Sequence, residues 1–221
     1  MDTPSTNADV APEALLAPAK LTLSLRVTGR RDDGYHLIDA EMVSLDLHDR
    51  LEIARGDSLT VVGPHGTETV GPNEDNLVRR ALALAGRTAS VTLHKQIPAG
   101  AGLGGGSADA AAVLRWAGFT DLRAAAALGA DIAFCLVGGR ARVTGIGEIV
   151  DPLPHDQRTF TIVTPPIFCS TPAVYRAWDE MGGPAGENGN DLEPAALVVA
   201  PELIHWRDEL ADQTDRRPQL A

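Results

Sequence analysis

Pro98-Ala99-Gly100-Ala101-Gly102-Leu103-Gly104-Gly105-Gly106-Ser107-Ala108 is the stretch that decides how this chain reads. Its five glycines stand between a predicted strand, Ala89 to Leu93, and an alanine-rich run, Ala108 to Trp116, that predicts a helix starting near Ser107 and ending before Gly118. Glycine removes the Cβ that would keep a phosphate oxygen away from the backbone. The unpaired N–H groups and positive end of the following helix favour an anion at the same place. Ser107 can cap that helix or turn its hydroxyl toward a phosphate or a metal ion. A flexible connector has the same composition, but a strand-loop-helix setting is the one a phosphate loop needs. It is not a Walker A loop, which requires a lysine where Gly106 stands, and P-loop NTPases are therefore disfavoured.

Upstream of the loop, apolar stretches at Leu21 to Val27, Leu37 to Leu47, Arg50 to Ala54 and Leu59 to Val62 predict strands arranged as an antiparallel meander, followed by a helix over Asp75 to Leu84. Downstream, Asp121 to Leu128 predicts a helix closed by Gly129, and Arg140 to Thr144 and Glu148 to Leu153 predict two short strands. Beyond them the pattern changes: a strand at Phe160 to Val163, a Pro-Pro break, and a helix from Pro172 to Met181. A glycine-rich linker, Gly182 to Gly189, leads to a segment over Asp191 to Val199 and an amphipathic helix over Pro201 to Leu210. Residues 1–13 and 211–221 are polar and are expected to be disordered tails. The expected division is an N-terminal domain over 14–155 and a C-terminal part over 156–210.

Nineteen basic against thirty acidic residues give a net charge of −11, which disfavours nucleic acid as a partner. The opening residues lack the basic and apolar regions of a secretory signal and no apolar run approaches the ~20 residues of a membrane span, so a cytoplasmic protein without a membrane partner is expected. Cys135 and Cys169 lie in apolar surroundings and read as reduced thiols. The only lysines are Lys20 and Lys95, which makes each worth locating.

Lys20 stands on an otherwise apolar strand in Ala17-Pro18-Ala19-Lys20-Leu21. It can be a strand-edge residue whose stem lies along apolar surface, or a fixed charge that stabilises a developing alkoxide and favours the carboxylate form of a neighbour. Asp131, in Gly129-Ala130-Asp131-Ile132-Ala133-Phe134, can be a helix cap or a general base that takes a proton from an attacking hydroxyl.

The form PxGxGLGGGSA resembles the second signature of the GHMP kinases. Together with the opening Ala17 to His36, with GADIAF at 129–134, with Val143 to Ile149 and with Asn190-Asp191-Leu192-Glu193-Pro194, it resembles the 4-diphosphocytidyl-2-C-methyl-D-erythritol kinases over roughly Leu16 to Leu197. That resemblance implies an α+β fold, with an N-terminal domain of the ribosomal-protein-S5-like type and an α/β sandwich as C-terminal domain. It implies ATP with Mg²⁺, and transfer of a phosphoryl group to the 2-hydroxyl of 4-diphosphocytidyl-2-C-methyl-D-erythritol on the methylerythritol phosphate route to isoprenoid precursors. It makes Lys20 and Asp131 the catalytic pair, Pro98 to Ala108 the ATP loop, and Tyr35 and His36 the residues that hold the cytidine diphosphate part. From the residues alone Tyr35 and His36 read equally as turn and strand residues. Ser107 and Asp109 are expected near the metal. The family's third signature, GTGxxxF, has no match here, so the resemblance implies an incomplete sandwich, exposed apolar faces and possible self-association. Another GHMP kinase, or an inactive nucleotide-binding protein, are the alternatives.

Overall fold

The computed structural model describes residues 12–65, 74–214 and 218–220. Two long strands, β1 (Glu13–Arg30) and β2 (His36–Ala54), pair antiparallel around a turn in which Gly34 N–H donates to Arg31 O. β1 begins at Glu13, inside the stretch expected as a tail, while residues 1–11 lie outside the described residues. β2 is one strand where two were expected, because the polar step at Asp49 is not a turn. That carboxylate is fully buried and accepts from the backbone N–H groups of Gln96 and Ile97.

The sheet is not a meander. β3 (Ser58–Val62) pairs parallel with β4 (Ser90–His94), and such pairing needs a crossover, which α1 (Leu77–Leu84) supplies. The strand order is β3-β4-β2-β5-β6, with β1 on the remaining edge of β2. β4 takes Arg50 to Ala54 of β2, and β5 (Arg140–Gly145) takes Ile38 to Val43 before turning back as β6 (Ile149–Pro152).

Helix α2 (Gly105–Trp116) packs on β1 and β2. Every residue from Ala108 to Leu114 is buried, and the small alanine side chains let the helix backbone lie close to the sheet. α3 (Leu122–Leu128), capped by Asp121 accepting from Ala124 N–H at 3.0 Å, leads to α4 (Ile132–Val137). The sequence reading did not separate α4 as a helix, since six residues are too few to show a period.

Beyond Pro152 no strand occurs among the described residues. Phe160–Val163 is irregular, because an apolar run becomes a strand only when a neighbour takes its backbone groups. Three helices follow: α5 (Thr171–Glu180), α6 (Glu193–Val199) and α7 (Glu202–Thr214), the last reaching into the stretch expected as a tail. Gln219 and Leu220, expected in that tail, bond Leu23 O and Asn190 respectively. The outer edge of β1 anchors this C-terminal part. Leu25 bridges Asn190 in parallel, and Asp191 accepts from Arg26 at 2.6 Å, Val27 N–H at 3.0 Å and Gly186 N–H at 3.0 Å. Burial alone would raise the Asp191 carboxyl, but those donors hold it below the usual carboxylate range. No helix among the described residues is long and apolar enough to cross a membrane.

Candidate active site

The glycine-rich loop leaves β4 through Lys95 and Ile97 and enters α2 at Gly105, two residues earlier than expected. Gly100, Gly102 and Gly104 have φ of +74°, +73° and +64°, a region that costs other residues about 1–2 kcal/mol. No side chain caps α2, so its first N–H groups remain available to a ligand. The loop is bolted to β1, where Lys20 N–H donates to Leu103 O at 3.0 Å. A Cβ on Gly104 would stand 2.7 Å from Lys20 Cγ, so the loop crosses directly over the lysine stem.

Lys20 sits at the first register shift of β1, between the Pro18 and Lys20 pairings with β2. Such irregularities re-aim a side chain out of the sheet's alternation. Its ammonium donates to Thr22 Oγ1 at 3.0 Å and lies 3.6 Å from Asp131 Oδ2. Asp131 occupies the N-cap position of α4, yet its side chain makes no capping bond. The lysine side chain is 9% exposed and the aspartate 32%, so the pair opens to solvent on the carboxylate side. The Asp131 turn is held from behind, because a Cβ on Gly147 in the β5–β6 hairpin would stand 2.6 Å from Ala130 O. Ser107, half-buried in the first turn of α2, comes near the same turn, its Oγ lying 4.0 Å from the place a Cβ on Gly129 would take.

Lys95 and Asp109 lie beneath the loop. Lys95 donates to Asp49 and, at 2.8 Å, to Asp109 Oδ2, and all three residues are buried. Asp109 was expected beside a metal ion; it is instead turned inward, 1% exposed, with Oδ1 unpartnered. Burial pushes its carboxyl up to about 7 against the pull of Lys95. It does not fit a role as a metal ligand at the loop.

Tyr35 is exposed in the β1–β2 turn, while His36 at the start of β2 is enclosed by α5. The His36 ring stacks on Tyr175 at 4.6 Å, meets Trp178 edge-on at 5.6 Å and places Nε2 2.8 Å from Asp179 Oδ1. Burial, with the charge of Asp131 adding to it, pushes the Tyr175 phenol up to about 12. Sequence reasoning missed Tyr175, Trp178 and Asp179. The one available signal was their spacing on a single helix face.

Residues 76–139 match the profile of the GHMP kinases N terminal domain. The chain is 50% identical to the 4-diphosphocytidyl-2-C-methyl-D-erythritol kinase of Paracoccus denitrificans, over 93% of this chain and 81% of that protein. It is 38% identical to the protein of the same name from Cereibacter sphaeroides, over 89% of this chain and 81% of that one. A crystal structure of 4-(cytidine 5'-diphospho)-2C-methyl-D-erythritol kinase superposes with a TM-score of 0.61 at 33% identity, covering 90% of this chain and 83% of that one. With a shared fold, two thirds or more of each relative covered and identity up to one residue in two, the chain belongs to the 4-diphosphocytidyl-2-C-methyl-D-erythritol kinase family of GHMP kinases.

Proposed function

We propose that this chain transfers the terminal phosphoryl group of ATP to the 2-hydroxyl of 4-diphosphocytidyl-2-C-methyl-D-erythritol, a step on the methylerythritol phosphate route to isoprenoid precursors. The observation that carries this reading is the 3.6 Å approach of Lys20 Nζ to Asp131 Oδ2 directly under a glycine loop. In it the triphosphate lies over Pro98 to Ala108, taking the free N–H groups of the loop and of the α2 N-terminus. Asp131 accepts the proton of the 2-hydroxyl as the new O–P bond forms, and the bond from the terminal phosphorus to the bridging oxygen breaks to release ADP. Lys20 stabilises the negative charge that grows on the attacking oxygen. Tyr35 and His36 hold the cytidine part, with the exposed Tyr35 ring available for stacking on a base.

Mg²⁺ belongs to the reading as the ion that accompanies ATP, neutralising charge on the triphosphate. Asp109, committed to Lys95, would not be a ligand of that ion. Exposed Val198, Ile204 and Trp206 on α6 and α7 support self-association through the C-terminal part.

The test is phosphoryl transfer by the purified chain, compared with Asp131→Asn. Asparagine keeps the shape and loses the basicity, so turnover is expected to fall by about 10² to 10⁴ while ATP affinity holds. Near-normal turnover in Asp131→Asn would return Asp131 to a structural role. ATP binding without transfer by the unaltered chain would favour an inactive nucleotide-binding protein instead.

A further inference from the structure

His36 is gripped by three side chains of one helix. Tyr175, Trp178 and Asp179 stand three and four residues apart and therefore share a face of α5. The ring stacks on the first at an interplanar angle of 21°, meets the second at 89° and places Nε2 2.8 Å from an oxygen of the third. The other oxygen of Asp179 lies 3.3 Å from Arg30 Nη1, so the carboxylate is itself braced by β1. With the His36 side chain only 10% exposed, the ring has little freedom to turn.

A carboxylate braced by a guanidinium accepts hydrogen bonds and does not donate them. The nitrogen facing it must then carry the proton, and in a neutral imidazole the other nitrogen is left as an acceptor. We infer that Asp179 is a positioning residue for base recognition: it holds His36 as the Nε2–H tautomer, so that Nδ1 accepts from an exocyclic amino group of a pyrimidine. The inference rests on the reading of His36 as a contact to the cytidine part. Its added content is the part Asp179 plays in fixing the ring nitrogen that meets the base. Cytosine offers an amino donor at the position where uracil offers a carbonyl oxygen, and a ring nitrogen fixed as an acceptor favours the first and opposes the second.

The test uses the full chain, with CDP and UDP as probes. Nitrogen-15 spectra of the His36 ring report the tautomer directly, and calorimetry reports affinities for CDP, UDP and ADP. Wild-type protein is expected to show Nδ1 unprotonated and to prefer CDP. Asp179→Leu removes the acceptor, and is expected to mix the tautomers and to weaken CDP binding by about tenfold, the worth of one oriented hydrogen bond. Its preference over UDP should shrink while ADP affinity stays unchanged. Asp179→Asn can still accept through its amide oxygen and is expected to keep the tautomer and to bind CDP within about threefold of wild type. Wild-type His36 carrying its proton on Nδ1 would overturn the inference without any variant. So would an Asp179→Leu protein that binds ADP normally and keeps the wild-type CDP-to-UDP ratio. Failure of the wild-type chain to bind either pyrimidine nucleotide overturns the cytidine reading instead, and the ring spectra separate the two failures.

Discussion

Replacing Asp109 by asparagine should make the protein less sensitive to rising pH. Asp49 uses both oxygens, on Lys95 and on the Gln96 and Ile97 N–H groups, whereas Asp109 receives only Lys95 and leaves Oδ1 bare inside the core. Burial accordingly raises the Asp109 carboxyl from 3.8 to about 7, with Lys95 opposing the rise and Asp49 adding to it. A carboxyl whose folded value lies above its unfolded one binds an extra proton in the native state between the two values. Its favourable contribution is complete below the unfolded value and is lost as pH rises through about 7. At 1.36 kcal/mol per unit, the part of that interval between pH 5 and 7 corresponds to about 3 kcal/mol. Asparagine has nearly the same shape, offers Lys95 an acceptor and does not titrate, so the variant lacks this loss. Urea unfolding of both proteins from pH 5 to pH 8 measures it, because titrations elsewhere cancel in the difference. The gap between variant and wild type should move in favour of the variant by about 3 kcal/mol, or roughly 6–12 °C in melting temperature. A gap that stays constant within about 0.5 kcal/mol across that range would refute the reasoning.

Two further changes probe the frame around the site. Gly104→Ala places a methyl group 2.7 Å from Lys20 Cγ at a φ of +64°, and is expected to cost about 1–3 kcal/mol and to lower turnover by displacing Lys20. Gly106→Ala, in the first turn of α2 with its Cβ 3.4 Å from Leu77 Cδ1, should be tolerated in melting temperature, and equal losses in both variants would contradict the account of the loop. Asp191→Ala removes the acceptor for Arg26 and for two backbone amides, and should cost about 2 kcal/mol. Proteolysis near Gly186 should rise in the same variant; unchanged cleavage would show that the C-terminal part is anchored elsewhere.

How much of this was legible in the sequence follows from how local each feature is. The place of the glycine loop was readable because its signal is contained in eleven consecutive residues, flanked by a strand and a helix. Its helix nevertheless begins earlier than propensity suggests. A Cβ on Gly105 would meet Ile97 Cγ2 and Lys95 Nζ, each at 3.1 Å, so glycine there serves close packing. The parallel pairing of β3 with β4 was not readable, since apolar alternation carries no strand direction. Phe160 to Val163 shows the converse, an apolar run that no neighbouring strand takes up. The enclosure of His36 depends on residues more than 130 positions away on α5, and no window of sequence contains both.

The two lysines show how a charge pair's surroundings, and not its presence, separate the site proposed as reactive from a structural one. Lys95 makes short bonds to both of its carboxylates in a space closed to solvent, and there the ion pair is a fixed part of the core. No substrate atom can enter without breaking it, at a cost of several kcal/mol. Lys20 gives its direct hydrogen bond to Thr22, and its 3.6 Å separation from Asp131 is longer than a direct bond. At that distance the attraction is about 5 kcal/mol at an effective dielectric of 20, and less where solvent screens it, as on the open side of Asp131. The interaction is strong enough to orient the carboxylate without tying its lone pairs in a direct hydrogen bond to Lys20. The Pro18/Lys20 register shift and the Gly104 crossing lie at the lysine, and the Gly147 contact with Ala130 lies next to the aspartate. On the proposed reading, the gap between the two is where Asp131 takes up a proton.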